Sequence, residues 1–424
     1  MTLALVLAAA LAAATGAGAA QPPSIVFILA DDLGYGDLSS YGNREIRTPR
    51  IDEIGKSGIR LTTFYAAAPL CSPSRAALLT GREPIRTGVL SIINSKGALK
   101  AHGTLAGSEV TLAELFRARG YATAAIGKWH VGRPLPTEQG FDQYFGVLLS
   151  NNMSPFEILR NEEVVEKVSG SRARRDASAS LTGRYTGEAL SFLRSVPPDR
   201  PFFLYLAHAM PHWPYAPSKP FARRDGKTGS YADTVEELDH GVGRVVDYLR
   251  DSGRLAKTIV IFTSDNGASS PGSAGPLRGF KAEYFEGGLR VPCLVAWPSG
   301  IPAGRVEGAP ASMLDWVPTL LSLTGAQRPA DLVLDGHDIS PLLLRGEPRE
   351  DLFYFKHAIR SEGRKLVLPE AGGSAMLFDL TQDPGEATDL AGQRPDLVRQ
   401  LAKRLEEHRA KVGRNASRPD TGRP

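Results

Sequence analysis

Five short apolar runs constrain the fold of this chain more than any other feature: SIVFILA (Ser24 to Ala30), YATAAI (Tyr121 to Ile126), PFFLYLA (Pro201 to Ala207), TIVIFT (Thr258 to Thr263) and CLVAWP (Cys293 to Pro298). All are of strand length, most are rich in β-branched or aromatic residues, and they show little apolar/polar alternation. A strand with one wet face alternates, so these read as strands buried on both faces. Helical patterns lie between them, at Thr111 to Arg119, Thr182 to Arg194, Tyr231 to Asp251 and Ser312 to Leu323. In the third, Val235, Leu238, Val242, Val245 and Leu249 recur at helical spacing. Strands alternating with helices predict an α/β fold, a large mostly parallel sheet sandwiched by helices.

Beyond about Arg345 the texture changes. LFYFKHAIRSEGRKLVLP and AMLFDLTQDPGEATDLA read as short antiparallel strands and turns, and Arg394 to Val412 as a charged amphipathic helix. The expected division is a leader (1–20), a large domain (21–344), a small C-terminal antiparallel sheet plus helix (345–412) and a disordered polar tail (413–424). The leader, MTLALVLAAALAAATGAGAA, is apolar and ends in small residues, with Ala17-Gly18-Ala19 as a cleavage-type sequence. Its strongly apolar part is short for a bilayer span, so export is expected rather than stable membrane insertion. A formal charge of +4 over scattered basic residues suits a small anionic substrate and does not suggest nucleic acid. Of two cysteines, Cys293 sits in a strand-like run and reads as a small hydrophobe, so no disulfide is expected.

Polar residues follow four of the runs directly: Asp31-Asp32, Asp265-Asn266, Gly127-Lys128-Trp129-His130, and His208 with Pro211-His212-Trp213-Pro214. In an open parallel sheet, ligands bind outside the carboxyl ends of the strands, so these clusters arrive at one edge. Three carboxylates and an amide form a hard-oxygen set suited to Ca²⁺ or Mg²⁺. Zinc is the runner-up metal, since His130 and His212 could serve it. His208, His240, His337 and His357 read as ordinary histidines.

Cys71 sits uneasily beside such a site. In CSPSRAALLTG, Ser72 is a plausible N-cap, Pro73 a good first residue and Gly81 a stop, which puts residue 71 at a helix N-terminus. One reading is a thiol nucleophile with a lowered pKa. The other is a thiol oxidised after translation to an aldehyde, whose hydrate offers oxygens to the metal.

Cys71-Ser72-Pro73-Ser74-Arg75 and the AALLTGR that follows, with ILADDLGYGDLSSYG, GYATAAIGKWHVG, FTSDNGA and FEGGLRVP in order, resemble the type I sulfatases, the formylglycine-dependent branch of the alkaline phosphatase superfamily. From Cys71 to Ser150 the likeness is greatest to arylsulfatase A and N-acetylgalactosamine-6-sulfatase. The resemblance implies that a formylglycine-generating enzyme converts Cys71 to formylglycine. It implies Ca²⁺ on Asp31, Asp32, residue 71, Asp265 and Asn266. Arg75 would hold the formylglycine, Lys128 and Lys281 would bind sulfate, and Ser150 would lie near it. His130 would be the base that collapses a covalent sulfate intermediate, and His212 would stand by the leaving oxygen. The implied reaction is hydrolysis of an aryl or carbohydrate sulfate ester, small or oligomeric, in a periplasmic or secreted protein (lysosomal in a eukaryotic host). The alternatives are a phosphonate monoester or phosphate diester hydrolase of the same superfamily, and a non-catalytic carbohydrate-binding relative. Phe280 departs from the small residue common before the lysine, and Trp213 and Tyr215 are the best sugar-stacking candidates.

Overall fold

The computed structural model describes residues 21–94, 103–369 and 373–414. The leader therefore lies outside the described residues, as does all of the tail beyond Arg414. No helix among the described residues is long and apolar enough to cross a membrane.

The large sheet is built on β1 (Ser24–Ala30), β2 (Ile59–Tyr65), β3 (Ala122–Lys128), β4 (Gln143–Val147), β5 (Phe156–Arg160), β6 (Glu163–Val168), β7 (Phe202–Ala207), β8 (Thr258–Ser264), β9 (Arg290–Ala296) and β10 (Arg305–Glu307), with a short β11 (Ala311–Ser312) beside β2. Their order is β10-β2-β9-β8-β1-β7-β3-β4-β5-β6. The segment β8-β1-β7-β3-β4 is parallel throughout. The fifth apolar run forms β9, which is antiparallel to both β8 and β2. Its carboxyl end points away from the shared edge, and no polar cluster follows it.

The absence of alternation has a direct cause. Ile25, Phe27 and Leu29 of β1 join one core, and Val26, Ile28 and Ala30 join the other. The first core contains residues of α1 (Cys71–Thr80), α2 (Leu112–Arg117) and α3 (Trp316–Thr324), and the second those of the helices Pro49–Lys56, Ser171–Ser195 and Gly226–Asp251. The spacing marked Thr182 to Arg194 and Tyr231 to Asp251; both helices begin earlier, in polar residues that carry no apolar period. The smaller sheet, β12 (Leu352–Tyr354), β13 (Ala358–Ser361), β14 (Arg364–Val367) and β15 (Met376–Asp379), is antiparallel throughout. The helix Pro395–Gly413 buries Leu401 and Leu405 in a core shared with that sheet.

Candidate active site

Asp31 and Asp32 follow β1, and Asp265 and Asn266 follow the adjacent parallel strand β8, paired in register through Ala30 and Ser264. The Asp265 amide donates to the Ala30 carbonyl at 3.1 Å, and the Asp31 amide to Met210, which ties the segment after β7 to the same place. Asp32 has φ 65°, a left-handed conformation that aspartate tolerates better than most residues. Its amide donates to Asp265 Oδ1 at 3.2 Å. Ser264, which the sequence reading passed over, accepts from Leu33 N and donates to the Asn266 carbonyl, each at 3.0 Å. A small hydroxyl residue directly before the Asp-Asn pair was its only signal.

Cys71 is the first residue of α1, with Leu70 in the capping position and Gly81 closing the helix at φ 67°. This corrects the expected cap at Ser72. The Ser72 hydroxyl accepts instead from Ile93 N, and Ser74 bonds both the amide and the carbonyl of Ala68, so the turn before the helix is held from within. Cys71 Sγ lies 3.5 Å from Asp31 Oδ1 and 3.8 Å from Asp32 Oδ1. Burial, and then the Asp265 carboxylate, push the thiol well above its ordinary value. That is opposite to a thiol activated at a helix N-terminus.

One ligand atom from each of Asp31, Asp32, Cys71 and Asp265 lies within 4.8 Å of all the others. Asn266 Nδ2 donates to Asp32 Oδ1 and to the Gly267 carbonyl at 2.9 Å each. Its Oδ1 is buried with no hydrogen-bond partner among the described residues. A buried orphaned carbonyl oxygen beside three carboxylates is a donor set that fits a hard divalent ion.

Three cations face these three carboxylates. Arg75, fully buried, donates through Nε to Asp265 Oδ2 at 2.9 Å and through Nη1 to the Lys128 carbonyl at 2.9 Å, and its Nη2 lies 3.5 Å from Asp31 Oδ1. Lys128 Nζ meets Asp31 Oδ2 at 2.6 Å. Burial pushes the Asp31 carboxyl up, but the neighbouring cations, Lys128 foremost, outweigh it and hold the group well below its usual range. Lys281 Nζ meets Asp32 at 2.7 and 2.8 Å, and its own pKa is pushed up, mainly by Cys71 and Asp32, against burial. Lys128 reaches this point because Gly127 lets β3 and β7 approach: a Cβ there would sit 1.7 Å from the Ala207 carbonyl oxygen.

His130 is buried, and burial with Lys128 and Arg75 pushes its pKa well down, so it is neutral. Its Nε2 lies 3.0 Å from the Ile93 carbonyl, which can only accept. The proton is therefore on Nε2, and the Nδ1 lone pair has no hydrogen-bond partner among the described residues. His212 Nδ1 donates to the Trp213 carbonyl at 2.6 Å, and its Nε2 is 3.7 Å from Asp32 Oδ2. Ser150 is buried, with its hydroxyl 3.3 Å from Asn151 Oδ1. His208, pushed down to about 3 by burial, lies fully inside the fold, and Tyr215 is buried with its hydroxyl on the Ser270 carbonyl. Tyr215 is thus no stacking surface, whereas Trp213 and Phe280 are exposed.

The sequence model of the sulfatase family matches residues 23–326. This chain belongs to the sulfatase family. A second model, the C-terminal region of N-sulphoglucosamine sulphohydrolase, matches residues 280–411. The sulfatase is 37% identical to human arylsulfatase A, over 92% of this chain and 88% of that one. It is 40% identical to dog N-acetylgalactosamine-6-sulfatase, over 83% and 72% respectively. Mouse steryl-sulfatase is 33% identical over 97% of this chain and 86% of its own. Such relatives are sulfuric ester hydrolases, and the family places this chain among them. Among solved structures, Ps i-CgsB superimposes with a TM-score of 0.83 at 29% identity, covering 94% of both chains. A second structure of that protein, in complex with a neocarrahexaose, gives 0.82 at the same identity over 95% of this chain and 96% of that one.

Proposed function

We propose that this sulfatase cleaves aryl or carbohydrate sulfate esters with a formylglycine at position 71, made from Cys71 by a formylglycine-generating enzyme, and that Asp31, Asp32, Asp265 and Asn266 hold Ca²⁺ beside it, Mg²⁺ being the alternative ion. The observation that carries this reading is a buried cysteine surrounded by oxygen donors, with three cations aimed at the same point. Zinc is disfavoured because the gathered donor atoms come from Asp31, Asp32, Cys71 and Asp265, and neither His130 nor His212 contributes a ring nitrogen to that group. The hydrate of a formylglycine supplies one hydroxyl to attack sulfur and a second whose deprotonation lets sulfate leave. A bound divalent ion supplies positive charge that polarises the sulfate oxygens.

The residues of the chain do the rest. Arg75 fixes Asp265 and the Lys128 backbone on either side of residue 71. Lys128 and Lys281 present ammonium groups to the non-bridging oxygens, where negative charge resides in the transition state. His130, held by Ile93 with its Nδ1 lone pair free to accept, takes the proton of the second hydroxyl. His212 stands beside the leaving oxygen through Nε2; burial pushes its pKa down, and the neutral ring, with its proton on Nδ1 toward the Trp213 carbonyl, offers a lone pair there. Ser150 is retained as a sulfate neighbour on the resemblance alone. The leader, and with it export to the periplasm, the outside or a lysosome, also belongs to this reading.

Mass analysis of the peptide containing residue 71 from the native host tests the modification, alongside turnover of paired aryl sulfate and aryl phosphonate substrates. An aldehyde or its hydrate at residue 71 and preference for the sulfate support the reading. An unmodified thiol in fully active protein overturns it, and preference for the phosphonate moves the chain to the diesterase reading.

A further inference from the structure

Exposure locates the mouth of the site. Asp31, Arg75, Lys128, His130, Asp265 and Asn266 are at most 1% exposed. Only Lys281 and His212, with side chains 16% and 11% exposed, reach solvent to a useful extent, and both lie against Asp32. Substrate therefore enters between these two residues. Each stands next in sequence to an exposed aromatic ring: Phe280 before Lys281, 45% exposed, and Trp213 after His212, 55% exposed. Large exposed aromatics are otherwise absent among the described residues; the remaining exposed large hydrophobics are Leu90, Val165, Val306 and Val333.

Both rings are carried by backbone that is pinned to the site. The Lys281 amide donates to Ala268 and the Ala282 amide to Pro69, each at 2.8 Å, and Pro69 is two residues from Cys71. The Phe280 amide donates to Glu283 Oε2 at 2.7 Å. On the other side the Trp213 carbonyl holds His212, and the Met210 carbonyl holds Asp31. Two exposed rings on anchored backbone lose little entropy when a ligand covers them.

We infer that Trp213 and Phe280 are specificity-determining residues that flank the mouth and grip the leaving alcohol or phenol by the flat face of its ring. This rests on the sulfate-ester reading and adds to it the residues that recognise the ring of an aryl or sugar leaving group. The shared chemistry is an apolar ring face, offered by an aryl group or by the C–H face of a sugar. Tyr215, the sequence's second candidate, takes no part.

The test uses Trp213→Ala and Phe280→Ala, both at exposed positions, each read in two ways. In a Cys71→Ala background, which cannot turn over, calorimetry gives Kd for phenyl sulfate, an N-acetylhexosamine sulfate and ethyl sulfate. In the active enzyme, kcat/KM is measured for the same three. Each substitution should weaken ring over ethyl discrimination by roughly three- to tenfold, as expected for the loss of one aromatic contact. The ring class with the larger loss identifies the natural one. A ring-to-ethyl Kd ratio unchanged in both variants overturns the inference. Failure of the wild type to hydrolyse any of the three esters defeats the sulfatase reading instead, while the Kd ratios still decide the role of the rings.

Discussion

Residue 71 and His130 carry separable halves of the proposed reaction. Serine at position 71 keeps an oxygen able to attack sulfur but lacks a second hydroxyl, so each Cys71→Ser molecule should stall after about one turnover. The pocket is fully formed, and a hydroxyl can donate to Asp31 where the thiol lies at 3.5 Å, so stability should change by less than about 1 kcal/mol. Rapid-quench assays of an aryl sulfate, at enzyme in excess and at substrate in excess, check this; sustained multiple turnover in a host that cannot oxidise serine would falsify the formylglycine mechanism. His130 has φ 60°, so asparagine, which tolerates that backbone, is a cleaner probe than alanine. His130→Asn should release a burst of phenol equal to the enzyme and then turn over more slowly than wild type, by about 10²- to 10⁴-fold, the usual worth of a positioned base. Stopped-flow absorbance shows the burst, and a loss of rate with no burst assigns His130 to the first half.

Elements explain what could be read from sequence and what could not. β1, β3, β7 and β8 were legible because burial on both faces removes alternation, and the meeting of Asp31, Asp32, Asp265, Asn266, Lys128 and His130 at one edge was legible because they end or follow those strands. The antiparallel sense of β9 was not, since a buried strand has the same composition in either direction. The Leu70 cap was hidden because Ser72 and Ser74, which resemble caps, bond to Ile93 and Ala68. Nor was the work of Asp239, in the helix Gly226–Asp251, which caps another helix from outside: its Oδ1 accepts from Arg50 N at 2.9 Å and Ile51 N at 2.7 Å. Burial pushes this carboxyl up to about 7, against those two bonds. The folded state thus keeps a proton that the unfolded chain releases near pH 4, so ionisation costs stability as pH rises from about 4 to 7. Asparagine keeps the acceptor and cannot ionise. The stability advantage of Asp239→Asn over wild type should therefore grow across that window, to at most about 4 kcal/mol, and stay flat above it. Thermal melts at several pH values read this, and a constant difference from pH 4 to 8 refutes it.

At the scale of the whole molecule, the small sheet is joined to the large one through buried charge. Lys365 of β14, fully buried, lies 2.9 Å from Glu286 Oε1 and 3.0 Å from Glu386 Oε1. Glu286 also accepts from the Tyr65 hydroxyl at 2.7 Å, and Tyr65 in turn accepts from Arg360 of β13 at 2.8 Å. Glu386 accepts from the Glu286 amide at 2.6 Å, and its own carbonyl accepts from Arg278 at 3.0 Å. The segment 278–286 that carries Lys281 is therefore fastened at both ends to residues of the C-terminal region. Removing Lys365 takes away the cation that two buried carboxylates share, which costs far more than the intact cluster contributes. Lys365→Met should destabilise the protein by roughly 3–5 kcal/mol, with two carboxylates left facing each other. Adding Glu386→Gln removes one of those charges, so the double variant should recover part of the loss, a coupling that additive sites lack. Because the fastening runs to the Lys281 segment, the single variant should also lose activity at temperatures below its melting transition, and the double variant should regain some of it. Calorimetry and an aryl sulfate assay on the same samples decide the matter: a double variant no more stable than Lys365→Met alone would mean that the methionine fails by packing, and that the small sheet is held by its apolar contacts instead.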